Sequence, residues 1–179
     1  MITNKIATAP QAVFVSLLII CAAPTAAQTQ SPAANPARKD PVQTMHAKGT
    51  FDVKVTPVTE DKAEGAPLVR YSLDKQYHGD LEAASKGEML TGGSIVMGSA
   101  GYVAMELVSG TLNGRKGTFI LQHAGTMNRG VPSLTVSVVP DSGTDQLTDQ
   151  LTGLTGTLNI IIADGKHSYE FDYSIPEGQ

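Results

Sequence analysis

From Thr44 onward strong helix signals are nearly absent, and the last hairpin alternates apolar and polar positions with a clean period of two. Glycine recurs at intervals of roughly ten residues, with Val, Ile, Thr, Leu and Tyr between. A period of two predicts strands, because successive side chains point to opposite faces. About eight strands are predicted: Met45–Thr56, Leu68–Tyr77, Leu81–Leu90, Tyr102–Leu112, Thr118–Met127, Ser133–Val139, Leu154–Ala163 and His167–Ile175. Short strands at even spacing predict an all-β sandwich or barrel.

The last hairpin is the best specified. Asp164-Gly165 is a preferred dipeptide for a two-residue primed turn. That turn sets Ala163 opposite Lys166, Ile162 opposite His167, Ile160 opposite Tyr169 and Leu158 opposite Phe171. Leu158, Ile160, Ile162, His167, Tyr169, Phe171 and Tyr173 then share one face. Thr157, Asn159, Ile161, Ser168, Glu170 and Asp172 share the other. One face packs and the other is polar.

The middle hairpin behaves differently. Tyr102–Leu112 (YVAMELVSGTL) and Thr118–Met127 (TFILQHAGTM) are apolar on both faces. A barrel covers only the inner one, so the outer face calls for a helix, a loop or another subunit. Homo-oligomerisation through this surface is the expectation. Gly110, Gly117, Gly125, Gly153 and Gly156 fall within or at the ends of strands, where glycine marks bulges and tight barrel corners. Closure also removes exposed sheet edges.

The N-terminus carries a different pattern. Lys5 supplies a positive charge, Ala12–Ala23 is apolar, and Thr25-Ala26-Ala27 offers small residues for cleavage. This is the layout of a signal peptide over 1–27, with Gln28 as the new N-terminus. The apolar run is shorter than the roughly 20 residues a spanning helix needs. Ile20 is bulky where lipoprotein processing at Cys21 requires a small residue. Residues 28–43 (QTQSPAANPARKDPVQ) lack any apolar period and read as a disordered linker. The folded domain is then 44–179. The expected location is exported, periplasmic or secreted, with no stable membrane anchor after cleavage.

Cys21 is the single cysteine, so the mature domain has no disulfide and no thiol nucleophile. The chain has 13 Lys and Arg against 17 Asp and Glu, a net −4. Residues 1–27 contribute only Lys5, so their removal leaves 12 against 17, or −5. With no basic cluster and no tryptophan, nucleic acid is not an expected partner. No Gly-x-Ser-x-Gly elbow, phosphate loop with lysine or His-Glu-x-x-His helix occurs, and no cofactor is expected. The glycines around Gly92 and Gly98 precede no predicted helix and read as a loop.

Glu106 and His123 form the leading candidate pair for chemistry. A two-residue turn at Asn113-Gly114 sets them diagonal to one another; a four-residue loop ending at Lys116 sets them directly opposite. Either register places both on one face with Tyr102, Phe119 and Leu121. A carboxylate beside an imidazole in apolar surroundings is a candidate general acid/base pair; the structural alternative is a satisfied ion pair. A second group, Asp74, His78, Asp80, Glu82 and Glu88, lacks diagnostic metal spacing and reads as solvated turn chemistry, so no metal site is expected. His167 lies on an apolar face beside Tyr169 and opposite Ile162, where a lone histidine is more often a satisfied core or barrel-mouth residue than a ligand, and His46 opens a strand without a pattern.

Several blocks in order resemble the domain-of-unknown-function family 3224. They are His46–Val53, Tyr77–Met89, Gly98–Ala104, Leu121–Met127, Val138–Thr144 and Ala163–Phe171. The resemblance implies a fold similar to the allene oxide cyclase barrel, a closed antiparallel barrel of eight strands. The wider relatives that the resemblance implies include plant dirigent proteins, which often form trimers. The segment TDQLTDQLT between Gly143 and Gly153 departs from the family, where a shorter connection is expected. It predicts a helical turn or a longer lip at one barrel end. The family carries no established activity, so the resemblance transfers no catalytic residue.

Three functions fit these observations. The first is a binding module holding a small, mostly apolar ligand, lined by Tyr102, Glu106, Phe119, His123 and His167. The second is a cyclase- or isomerase-type enzyme using Glu106 and His123. The third is a packed structural oligomer of the cell envelope.

Overall fold

A computed structural model of the chain describes residues 43–61, 68–144 and 150–176. The expected signal peptide over 1–27 and all of the expected linker but Gln43 lie outside the described residues.

The fold is a closed antiparallel barrel of eight strands in sequence order. They are β1 (Met45–Asp61), β2 (Leu68–Gly79), β3 (Leu81–Gly93), β4 (Ala100–Leu112), β5 (Arg115–Asn128), β6 (Val131–Val138), β7 (Thr155–Ala163) and β8 (Lys166–Ser174). All eight predicted strands form, and most run a few residues further than predicted. Alternation stops marking the boundary once cross-strand pairing carries the ladder into the turn.

Three hairpins turn on two residues, both with positive φ: Asn113-Gly114 at 46° and 81°, Arg129-Gly130 at 49° and 88°, and Asp164-Gly165 at 50° and 73°. This is the primed geometry, whose twist matches that of the strands. The β7–β8 register follows: Leu158 faces Phe171, Ile160 faces Tyr169 and Ile162 faces His167. The Asn113-Gly114 turn selects the diagonal arrangement for the middle hairpin. Ala104 pairs with His123 and Glu106 with Leu121.

The two barrel ends differ. The end bearing the Asn113-Gly114 turn is filled. Leu81, Leu112, Leu151, Leu154 and Tyr173 are at most 1% exposed there. Stacked and tilted rings continue the filling: Phe119 lies 5.9 Å from Phe171, and Phe171 lies 5.2 Å from Tyr173. The buried hydroxyls are tied down as well. Tyr169 accepts from the Leu81 amide at 2.8 Å, and Tyr173 accepts from Asn113 at 2.9 Å. The 144–152 segment contributes here through its described ends. Thr144 bridges to Thr118, Gln150 accepts from the Lys116 amide, and Leu151 enters the core. Residues 145–149 lie outside the described residues.

Toward the other end, inward-facing side chains become progressively open. The wall also thins. β6 and β7 are joined by one residue pair, Ser137 with Thr157, whereas their other neighbours pair along most of their length. Pro132 in β6 has no amide proton to donate, which suits a strand that is almost an edge.

On the outside, β4 presents Val103, Met105 and Leu107, 55%, 48% and 52% exposed. The doubly apolar strand therefore has its inner face in the core, and no described residue covers its outer face.

Candidate functional site

Glu106 is fully buried, at 0% exposure, half-way along the barrel interior. Its position follows from alternation along β4, where Ala104, Glu106 and Val108 all face inward. Burying a lone carboxylate is costly, so its partners decide whether the fold tolerates it. Four side chains supply them. Lys75 Nζ donates to Oε2 at 2.6 Å. His123 Nε2 meets the same oxygen at 3.0 Å. The Tyr77 hydroxyl donates to Oε1 at 2.7 Å and the Ser85 hydroxyl to Oε1 at 2.5 Å. The Lys75 ammonium also lies 5.0 Å from the centre of the Phe51 ring, a favourable cation–π distance.

These contacts define the charge state. Burial pushes the Glu106 carboxyl up. The hydrogen bond from His123, the charge and hydrogen bond of Lys75 and the Ser85 hydroxyl pull it down harder, to about 2 from an ordinary 4.5. Glu106 is therefore an anion at neutral pH. An ionised carboxylate only accepts, so His123 Nε2 carries the proton and donates. Burial, followed by the charge and hydrogen bond of Glu106, pushes the Tyr77 hydroxyl far above its ordinary 10, which keeps it a donor. A carboxylate held this low is a weak proton acceptor.

The other candidates fall at defined heights. Phe119 is buried below Glu106 at 1% exposure, inside the filled half. Tyr102 lies above, half-buried, with its ring over Gly125, where a Cβ would collide with it. Burial raises its hydroxyl pKa. His167 is partly buried at the open end, its ring 5.0 Å from that of Phe51. Glu106 and His123 are thus in contact, while Tyr102 and His167 stand apart from them near the mouth.

The group around the β2–β3 turn does not gather at one point, although His78 lies 3.8 Å from Glu82 and 3.8 Å from Asp52. Asp80 and Glu82 accept from the backbone amides of Lys48 and Gly79. Asp74 sits 3.9 Å from Lys86, and Glu88 sits 3.9 Å from Arg70. Among the described residues no cluster of three or more acidic, histidine or cysteine side chains could hold a metal. His46 Nδ1 lies 2.5 Å from Asp172 Oδ1 in an exposed hydrogen bond.

Lys75, Tyr77 and Ser85 escaped the sequence reading. A signal existed: Leu73, Lys75 and Tyr77 share the inward parity of β2, as Ala83 and Ser85 do in β3. A lysine flanked two residues away by Leu and Tyr marks a buried cation once the inward face is known.

The sequence profile described as a protein of unknown function (DUF3224) matches residues 47–173, which spans all eight strands. The chain belongs to the DUF3224 family. A crystal structure of a DUF3224 protein of unknown function from Shewanella oneidensis MR-1 has the same fold, with a TM-score of 0.69 and 46% identity. The match covers 76% of this chain and 100% of that one. No curated protein matches the chain.

Proposed function

We propose that this DUF3224 barrel is a binding protein that holds a small, mostly apolar molecule in its open mouth, above the Glu106 network. The exposure of inward-facing apolar side chains at that end carries the reading. Val55, Leu134 and Ile162 are 45%, 41% and 67% exposed, although the ladder turns each toward the barrel axis. Fully burying side chains of this kind returns roughly 1.5–3 kcal/mol each. An apolar guest recovers part of that. Tyr102 and His167 stand at the same level, and Lys75 and His123 form a polar floor beneath.

An acid/base enzyme is the weaker reading, because Glu106 is too weak a base. A wholly packed structural barrel fits the filled end but leaves the open one unaccounted for. The N-terminal pattern supports export of this binding protein, with cleavage before Gln28; N-terminal sequencing of protein from the native host tests that step.

Native mass spectrometry of the protein purified from its own host tests the binding. The expected result is a co-purifying small molecule that is lost from a Leu134→Asp/Ile162→Asp variant with an unchanged circular dichroism spectrum. A ligand-free wild type that also fails to bind the neutral probe N-phenyl-1-naphthylamine would leave the packed barrel as the better description.

A further inference from the structure

The outer wall over β2, β3 and β4 carries a groove of about 570 Å³ that is separate from the mouth. Gly87 is among its lining residues. A Cβ at that position would strike the Met105 carbonyl oxygen and come within 2.9 Å of the Glu106 Cα, so β3 and β4 approach closely there. Lys86 and Glu88 flank Gly87 on β3, and Leu107 and Met105 lie opposite them on β4.

We propose that this face is the interface of a two-fold dimer of the chain. The ladder sets Lys86 opposite Leu107 and Glu88 opposite Met105, and Asp74 and Ser72 occupy the same two levels on β2. A two-fold axis between two stacked walls, perpendicular to the strands at the level of Gly87, keeps the lateral strand order and reverses strand direction. It lays Lys86 of each copy over the partner's Glu88. It also lays Met105 over the partner's Leu107. Each residue of a pair meets the other, as an isologous interface requires. An axis parallel to the strands along β3 would instead stack Lys86 on itself. The order of charges is therefore self-complementary about the perpendicular axis and fixes the orientation of the second copy.

Apolar exposure supplies the driving force. Met105 and Leu107 are 48% and 52% exposed, and Val103 extends the stripe toward the mouth. The charges are free to pair across the interface. Within one chain the Lys86–Asp74 and Arg70–Glu88 separations are both 3.9 Å, with the Lys86 side chain 83% and that of Glu88 66% exposed. Pairs this loose contribute little to the folded chain. The dimer does not depend on the ligand reading, since the mouth stays open in it.

Sedimentation velocity of the purified protein at micromolar concentration tests the proposal. The wild type should be dimeric. Lys86→Glu and Glu88→Lys should each raise the dissociation constant roughly tenfold or more, because each sets like charges over one another at both symmetric contacts. Mixing the two variants makes every opposing pair opposite in charge, so a heterodimer of near wild-type affinity should form. The double variant K86E/E88K should also dimerise. Neither rescue can arise from a folding defect. A monomeric wild type, a higher oligomer, a dimer indifferent to both single variants, or weakening without rescue on mixing would each overturn the proposal.

Discussion

Replacing Glu106 with Gln keeps the side-chain shape and removes the buried anion. Lys75, whose side chain is 5% exposed, is then left as an uncompensated cation beside a neutral amide. Breaking a buried pair in this way costs about 3–5 kcal/mol. The proton affinity gives an independent figure. A carboxyl moved from 4.5 to about 2 corresponds to roughly 3 kcal/mol of stabilisation at neutral pH. Against a total stability of about 5–15 kcal/mol this is a large fraction. The melting temperature should fall by on the order of 10–20 °C. Urea unfolding followed by circular dichroism measures the loss directly. The variant K75M/E106Q leaves neither charge behind, so it should cost less than the sum of its two single variants, by roughly 2 kcal/mol or more. Single variants that lose less than about 1 kcal/mol, or a double variant equal to the sum, would refute the view that these residues act as one charged unit.

The same network predicts a pH dependence. The folded carboxyl lies below its unfolded value, so its contribution is complete above about 4.5 and disappears as the pH falls toward about 2. The urea midpoint of Glu106→Gln should therefore fall less steeply than that of the wild type across this window; parallel acid limbs would contradict the assignment. Gly110→Ala drives a Cβ to within 2.5 Å of the Ala83 Cα, a clash with backbone. It should destabilise by at least about 3 kcal/mol in a thermal melt. Gly125→Ala meets the Tyr102 ring, which can swing aside, and should cost only about 1 kcal/mol. In hydrogen exchange, amides of Val131–Thr135 facing β7 and of Asn159–Ala163 facing β6 should exchange faster than those of β3 and β4, because the β6–β7 ladder holds one pair. Equal protection would show a seam that is zipped in solution.

Strand number, strand order around the last hairpins and the facing residues of β7 and β8 were legible in the chain itself. They depend on period-two alternation and on Asn-Gly and Asp-Gly turns, whose positive φ values are local properties of a few residues. The contact between Glu106 and His123 was legible for the same reason, since one short turn sets their register. The doubly apolar character of β4 likewise announced an outer surface that the inner core does not use.

Lys75, Tyr77 and Ser85 were not legible as partners of Glu106. They sit 31, 29 and 21 residues away, Ser85 on the adjoining strand β3 and Lys75 and Tyr77 two strands over on β2, and they converge on Glu106 only because the inner faces of all three strands curve together. Alternation tells which residues of a strand share a face. It does not tell which face points inward, because that is decided by which arrangement of all eight strands buries more apolar surface. The near-rupture between β6 and β7 is of the same kind, foreshadowed only by Pro132. Local sequence determined the strands, the turns and the register of neighbours. Tertiary closure alone decided that one glutamate, one lysine and one histidine meet out of water, because only there does each buried charge become tolerable through the others.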